Sequence, residues 1–327
     1  MQAAKPYMIT KQVVFEAYKK VRAKRGTAGV DEETIKEFEQ GLKGNLYKIW
    51  NRMSSGSYFP PAVLRVEIPK DDGKKMRKLG IPTVSDRIAQ MVGKIYLEPL
   101  LEPIFHEDSY GYRPGKSAID AVGKARERCW KYDWVLDVDI KGFFDNIAHE
   151  LMMKAVQKHT DCKWILLYIE RWLKAPVQLA DGTLETRYKG TPQGGVISPL
   201  LANLYLHYAF DEWMKRRLPD IPFERYADDI LMHCKTEAES LKVRELLEKR
   251  LAECGLELNP EKTKIVYCQD ENRRKDYPNT SFDFLGYTFR ARLVRTCKRD
   301  YFVGFNPGVS NKSKKRLLDK VRKLEIH

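Results

Sequence analysis

Residues 134–140 constrain the fold more than any other stretch of the chain. Trp134, Leu136, Val138 and Ile140 alternate with Val135, Asp137 and Asp139, and a side-chain period of two marks a β-strand. The face that carries Trp134, Leu136, Val138 and Ile140 is apolar and has to pack on helices. Asp137 and Asp139 therefore share the other face, which is expected to be open or wet. A second acidic feature lies downstream. Residues 223–234 read as a hairpin around Ala227-Asp228, with Asp229 just beyond. Adjacent carboxylates repel, and a turn tolerates them when they are solvated or when a cation bridges them. A polar turn explains that pair by itself, and a local partner explains Asp139 by itself. Together they suggest more: strands presenting Asp139 beside Asp228 would make a two-magnesium site. Hard cations take carboxylate oxygen, and two of them can activate an attacking 3′-hydroxyl and stabilise a leaving pyrophosphate.

The rest of the chain alternates helical and strand patterns without a repeat or low-complexity linker, so it reads as one continuous α+β unit. Val14, Tyr18 and Val21 give residues 11–22 a helical spacing, and the loop Gly26-Thr27-Ala28-Gly29-Val30 precedes Asp31, a candidate cap for the next helix. Leu64, Val66 and Ile68 alternate with Arg65 and Glu67, and Asp71-Asp72-Gly73 turns that strand into a hairpin ending near Ile81-Pro82. A helix over 86–101 is expected to kink or stop at Glu98-Pro99. Asn146 is the expected cap of a helix bearing Ile147, Leu151 and Ala155. Ser198-Pro199 opens another that runs to about Arg217. A helix over 237–254 should close at Gly255. Residues 312–327 are basic and amphipathic through Leu317, Leu318, Val321 and Leu324, and they break off in mid-helix, as a fragment of a longer protein would.

Composition narrows the function class. Lys and Arg number 59 against 45 Asp and Glu, a net charge of +14, with a pI near 9.3. A polyanion partner accounts for such an excess through counterion release, and solubility alone accounts for it equally well. A chain 43% hydrophobic and 11% aromatic is not disordered. No stretch of about 18 uncharged apolar residues is present, which excludes a helical membrane span. The first residues lack the apolar run of a secretory signal. Cys129, Cys162, Cys234, Cys254, Cys268 and Cys297 are scattered with no Cys-x-x-Cys pair. Zinc sites and a disulfide framework are thus not expected, and a reducing, cytoplasmic compartment is.

Three segments in order carry a resemblance: Asp139-Ile-Lys-Gly-Phe-Phe-Asp-Asn-Ile147, Gln193-Gly-Gly-Val-Ile-Ser-Pro-Leu-Leu-Ala-Asn-Leu-Tyr-Leu206 and Tyr226-Ala-Asp-Asp229. They resemble polymerase motifs of reverse transcriptases, and more narrowly those of bacterial group II intron-encoded proteins, or maturases. Lys24-Arg-Gly-Thr-Ala-Gly-Val-Asp31, Ile68-Pro-Lys70 through Arg77-Lys-Leu-Gly-Ile-Pro82 and Ser109-Tyr-Gly-Tyr-Arg-Pro-Gly-Lys-Ser117 resemble the same group. So do Leu258-Asn-Pro-Glu-Lys-Thr-Lys264 and Phe282-Asp-Phe-Leu-Gly-Tyr287. The resemblance implies an α+β right-hand polymerase with an antiparallel palm sheet backed by helices and with helical and hairpin fingers. It implies one reverse-transcriptase domain over 1–327: about 1–130 mostly fingers, 131–310 mostly palm, and 311–327 the start of a truncated connection to a thumb that is absent.

The same resemblance assigns residues. Asp139, Asp228 and Asp229 match the catalytic acids, with Asp139 and Asp228 the direct metal bridges. The Ile140 backbone completes the shell of two Mg2+ ions, for which Mn2+ can substitute. Phe144, five residues after Asp139, matches the aromatic gate whose ring clashes with a 2′-hydroxyl, and Phe143 belongs to the same deoxynucleotide pocket. Lys70 and Arg77 match residues that hold the triphosphate; without the family they are solvated charges on a surface hairpin. Gln193 and Gly194 lie against the nascent base pair, and Lys262 lies near the departing pyrophosphate. Leu285 and Gly286 match the grip on the primer strand. Lys24, Arg25, Gly26 and Thr27 fall in a loop that resembles the template-contacting extension motif of non-retroviral enzymes. Arg113 and Lys116 are candidate phosphate contacts.

Two departures accompany the resemblance. Asp145, six residues after Asp139, stands where RNA-dependent RNA polymerases place an acid that reads a ribose. No thumb or DNA-binding segment is visible in the sequence. Three functions follow. The first is an RNA-directed DNA polymerase of a group II intron-encoded maturase, with intron RNA, an RNA template with DNA primer, and dNTPs as partners. The second is an RNA-binding splicing cofactor with incidental polymerase activity. The third is a stand-alone retron, diversity-generating or phage-defence reverse transcriptase. A membrane is not among the expected partners, and a second copy of the chain is a candidate one.

Overall fold

The computed structural model describes residues 5–69, 76–273, 275–295 and 300–322. In chain order the elements begin α1 (Lys11–Lys24), α2 (Ile35–Gln40), α3 (Leu42–Ser55), β1 (Val63–Pro69), β2 (Met76–Ile81) and α4 (Val84–Leu101). They continue α5 (Ala118–Cys129), β3 (Trp134–Val138), α6 (Phe143–Asn146), α7 (His149–Gln157), α8 (Lys163–Lys174), β4 (Val177–Gln178), β5 (Leu184–Glu185) and α9 (Ser198–Leu206). The last are α10 (Glu212–Arg217), β6 (Phe223–Tyr226), β7 (Asp229–Cys234), α11 (Glu237–Glu253), β8 (Lys264–Tyr267), β9 (Ser281–Phe284), β10 (Tyr287–Arg295), β11 (Tyr301–Val309) and α12 (Asn311–Arg322). This is a mixed α+β fold with antiparallel sheets, in which β1–β4 is a parallel pairing. Among the described residues no helix is long and apolar enough to cross a membrane.

Two compact units divide the chain, each assembled from two stretches of sequence: residues 1–105 with 142–208, and residues 106–141 with 209–327. The first unit is built around α4. Val84, Ile88, Ala89, Val92, Leu97 and Leu101 are each at most 1% exposed, and a helix apolar on several faces has to be enclosed. It packs against α1, α3, α8 and α9. Pro99 neither stops nor replaces the last turn: α4 continues to Leu101 and passes into a 3₁₀ turn at Glu102–Ile104. One missing N–H near a helix end removes a single bond, which the enclosing helices outweigh. A four-stranded sheet in the order β2-β1-β4-β5 completes the unit. The Asp71-Asp72-Gly73 turn, Cys297 and Leu324 lie outside the described residues.

The second unit holds the sheet β6-β7-β3-β8, antiparallel throughout, and the ladder β11-β10-β9. Helix α11 packs on β3, β7 and β8, and α5 on β6, β7 and β11. Val135, Leu231 and Val266 share a core with Ala121, Ala125 and Cys129 of α5 and with Phe282, Phe284, Phe289 and Phe305. Val135 lies on the Asp137 face of β3. That face is therefore covered at one end, where the sequence pattern led us to expect water, because distant strands supply aromatic rings to it.

Three caps differ from the sequence reading. Thr34, not Asp31, caps α2, in a reciprocal capping box with Glu37. Asn146 ends the single turn α6 and returns its amide to the Gly142 carbonyl at 3.1 Å, while α7 starts behind Ala148 with no side-chain cap. Ser198 is the first residue of α9 rather than its cap, and its hydroxyl accepts from Thr191 at 2.8 Å.

Candidate active site

In the second unit, β3 and β7 run antiparallel with Val138 opposite Ile230. Asp139 and Asp229 are the next residues outward on the two strands, and Asp228 sits half-buried in the turn that joins β6 to β7. The backbone around Asp139 is fixed on both sides: its carbonyl accepts from Asn259 N–H at 2.8 Å, and its N–H donates to Thr263 Oγ1 at 3.3 Å. Ile140 bridges to Leu258. Lys262 places its ammonium 3.2 Å from Asp139 Oδ2. On the same face, burial pushes the Asp137 carboxyl up to about 7, and the neighbouring charges of Asp229, Asp139 and Asp283 add to the rise against the pull of Lys264. Several carboxylates crowding one strand end favour a cation among them. Lys262 is the cation seated there, and the donors are hard oxygens of the type that divalent metal ions take. Among the described residues, no three His, Cys, Asp or Glu side chains already stand at metal-ligand spacing.

A buried charge network braces the strand that leads into this turn. Arg225 of β6 is 0% exposed, and its guanidinium meets Asp211 twice, Nε on Oδ1 and Nη2 on Oδ2, each at 2.7 Å. Beside it Glu224 accepts from Arg128 at 2.7 Å and bonds His233 at 2.7 Å, and Arg128 also reaches Asp108 at 2.6 Å. The chain at 108–110 pairs with β6 through Arg225 N–H to Asp108 O and Tyr110 N–H to Arg225 O. Gly111 then passes so close to the turn that a Cβ there would overlap the Ala227 backbone nitrogen. Ala227 itself has φ +56, the left-handed value that primed two-residue hairpin turns require at their first position.

The first unit gathers a different set. Phe144, 7% exposed, packs its ring on Phe143, which is 2% exposed and also touches Tyr205. The Phe144 carbonyl accepts from Thr191 N–H at 2.7 Å. Gln193 is tied to β2 through Gly80 N–H to its carbonyl at 2.7 Å. Gly194, at φ +123, runs against the Gly80 carbonyl, where a side chain has no room. A buried relay holds the far end of this loop. Asp86 accepts from Tyr58, Trp172 and Gln90 at 2.8, 3.0 and 2.9 Å, and Gln90 in turn accepts from the N–H groups of Val196 and Ile197. Burial pushes the Asp86 carboxyl up to about 6. A cleft of about 540 Å³ opens beside Gln193, with Lys78 and Asp145 on its wall. Arg77, next to Lys78, alternates to the other face of the hairpin.

The remaining sequence candidates are scattered. Lys70 lies outside the described residues. Lys24 ends α1, Arg25 has φ +49, and Arg87 donates to the Thr27 carbonyl across Gly26. Arg113 donates to the His106 and Ser109 carbonyls, and Lys116 to that of Glu107, so both basic side chains already brace their own loop. Leu285 and Gly286, at φ +50 and +85, form the two-residue turn between β9 and β10, and the Gly286 carbonyl receives Ser310 and Ser313 at the start of α12. Sequence reasoning missed the Arg225–Asp211 pair, the Asp86–Gln90 relay and Lys78. An arginine inside the short strand pattern from Phe223 to Tyr226 was the visible signal for the first. The other two had none.

The sequence model of the reverse transcriptase (RNA-dependent DNA polymerase) family matches residues 68–289. The group II intron-encoded protein LtrA of Lactococcus lactis subsp. cremoris is 30% identical over 96% of this chain. The chain spans 59% of that relative's length. Protein YkfC of Escherichia coli K12 is 32% identical over 84% of this chain and 77% of its own length. The retron Ec48 reverse transcriptase of Escherichia coli is 27% identical over 63% of this chain and 49% of its own.

Proposed function

Because this chain belongs to the reverse transcriptase (RNA-dependent DNA polymerase) family, with a group II intron-encoded protein among its relatives, we propose that it is the RNA-directed DNA polymerase part of a group II intron-encoded maturase. It adds deoxynucleotides to a DNA primer on an RNA template and binds intron RNA to aid splicing and mobility. The observation that carries this is the arrival of Asp139 and the Asp228-Asp229 turn at one end of the neighbouring strands β3 and β7. Carboxylates gathered at one strand end suit a bound cation.

In this reading Asp139 and Asp228 hold two Mg2+ with Asp229 and the Ile140 carbonyl, and Mn2+ can take their place. When bound, the ions supply Lewis acidity for the 3′-hydroxyl and the departing pyrophosphate. Lys262 keeps its ammonium on Asp139, near the departing pyrophosphate. Phe144, locked by Phe143 and by its bond to Thr191, excludes a 2′-hydroxyl. Lys70 and Arg77 hold the triphosphate, and Gln193 with Gly194 lies along the nascent pair. Leu285 and Gly286 grip the primer. The loop of Lys24, Arg25, Gly26 and Thr27, with Arg113 and Lys116, follows the template. We assign about residues 1–130 mostly to fingers, 131–310 mostly to palm and 311–327 to the start of a connection to a thumb, in a right-hand polymerase working in the cytoplasm. The intron maturase reading is preferred to a retron one because the LtrA relationship covers nearly the whole chain while the retron one covers 63%.

Primer extension on an RNA template in Mg2+ tests the reading. Deoxynucleotides should extend the primer and ribonucleotides should not, and Phe144→Ala should narrow that preference by about tenfold or more. Extension with ribonucleotides at an equal rate by the wild-type protein would count against both the activity and the gate.

A further inference from the structure

The cleft beside Gln193 contains charged groups that the polymerase reading does not use. It is lined by Arg65, Lys78, Asp145, Arg187, Lys189 and Gln193 among others. Two of its cations already have company. Arg65 pairs with Glu185 at 2.8 Å, and Lys189 donates to Asn146 at 2.8 Å. Lys78 is exposed on β2. Arg187 differs: its Nη1 is shut away from solvent and has no hydrogen-bond partner among the described residues. Burial pulls its pKa down to about 10, offset in part by the charge of Asp145. Buried polar atoms are nearly always hydrogen-bonded, and an unbonded guanidinium N–H is a standing cost to the fold. A ligand that supplies the missing acceptor removes that cost.

The ligand chemistry follows from the donors. A guanidinium presents a planar fork that fits two oxygens of a phosphate, and Lys78 adds a point charge on the same wall. The cleft carries more positive than negative side chains, and the loop of Gln193 closes one side of it. We infer that Arg187 anchors a phosphate-binding site in this cleft, filled either by a backbone phosphodiester of the bound nucleic acid or by the triphosphate of the incoming nucleotide. The inference deepens the polymerase reading and rests on it.

The test compares wild-type protein with Arg187→Gln and Arg187→Lys, using a fluorescent RNA–DNA template–primer duplex for affinity and dNTP titration for KM. If the phosphate is in the backbone, duplex Kd rises about tenfold in Arg187→Gln. The salt slope of log Kd falls by about one, as one phosphate contact is lost, while dNTP KM stays put. If it is the triphosphate, KM rises about tenfold and duplex Kd is unchanged. In either case Arg187→Lys lies between, and the melting temperature of Arg187→Gln is unchanged or raised, because the buried Nη1 has no hydrogen bond to lose. Unchanged Kd, salt slope and KM would overturn the site, and a lowered melting temperature with those three unmoved would make Arg187 structural. A wild-type protein that binds neither duplex nor dNTP would overturn the polymerase reading and this site with it. Wild-type binding that both variants retain in full removes the phosphate site alone.

Discussion

Two arginines, one in each unit, bury guanidinium nitrogens in opposite ways. Arg225 is fully enclosed, and both ends of its fork meet the Asp211 carboxylate at 2.7 Å. Arg187 is half-buried beside the charge of Asp145, and its sealed Nη1 has no acceptor among the described residues. Burial by itself therefore says little about purpose. A buried cation that is matched inside the chain fixes the backbone around it, here β6 next to the Asp228 turn. One whose buried N–H lacks an acceptor leaves a place where we infer a phosphate from outside the chain. The second unit thus carries its acids on a rigidly braced hairpin, and the first carries a cleft with a spare cation.

The largest effect expected on stability comes from breaking the matched pair. Arg225→Met leaves Asp211 buried without a counter-charge and should cost about 3–5 kcal/mol. The double variant Arg225→Met with Asp211→Leu should recover most of that, since two apolar groups strand no charge. Urea unfolding measures both, and a double variant no better than the single one would mean that the pair specifies β6 in some further way.

A smaller effect sharpens the comparison from the first unit, where Asp86 is buried among donors without a cation in its hydrogen-bond shell. Its carboxyl stands at about 6 in the fold against an ordinary value of 3.8. A raised carboxyl pKa means that the folded state holds its proton more tightly than the unfolded one. The contribution is therefore fully present below about pH 4 and lost as pH rises through about 6. Its size is of order 2–3 kcal/mol. Asp86→Asn should flatten that part of the pH–stability curve, and an equal slope in the variant would remove Asp86 as its source.

Strand β3, the hairpin 223–234 and the close of α11 at Gly255 were legible in the sequence because each rests on local patterns of period, turn and cap. The acids at the candidate site were legible for the same reason, standing at a strand end and in a turn. The caps at Asn146 and Ser198 were misread because the identity of a cap depends on where the backbone becomes helical. Ile197 is already at φ −87, ψ −18, and Gly142, at φ +53, starts a separate turn. The cover over Asp137 was invisible because Phe282, Phe284, Phe289 and Phe305 arrive from far along the chain. Arg187 was one of 59 basic residues, and only the packing around it separates it from the rest.

The central claim is that Asp139 and Asp228 do chemistry and contribute little to holding nucleic acid. Single-turnover nucleotide addition and duplex affinity, measured side by side for wild-type, Asp139→Asn and Asp228→Asn, test it most directly. The account predicts addition reduced by more than about a thousandfold in both variants, with affinity within a few-fold of wild-type. Nucleotide addition retained by either variant would contradict it.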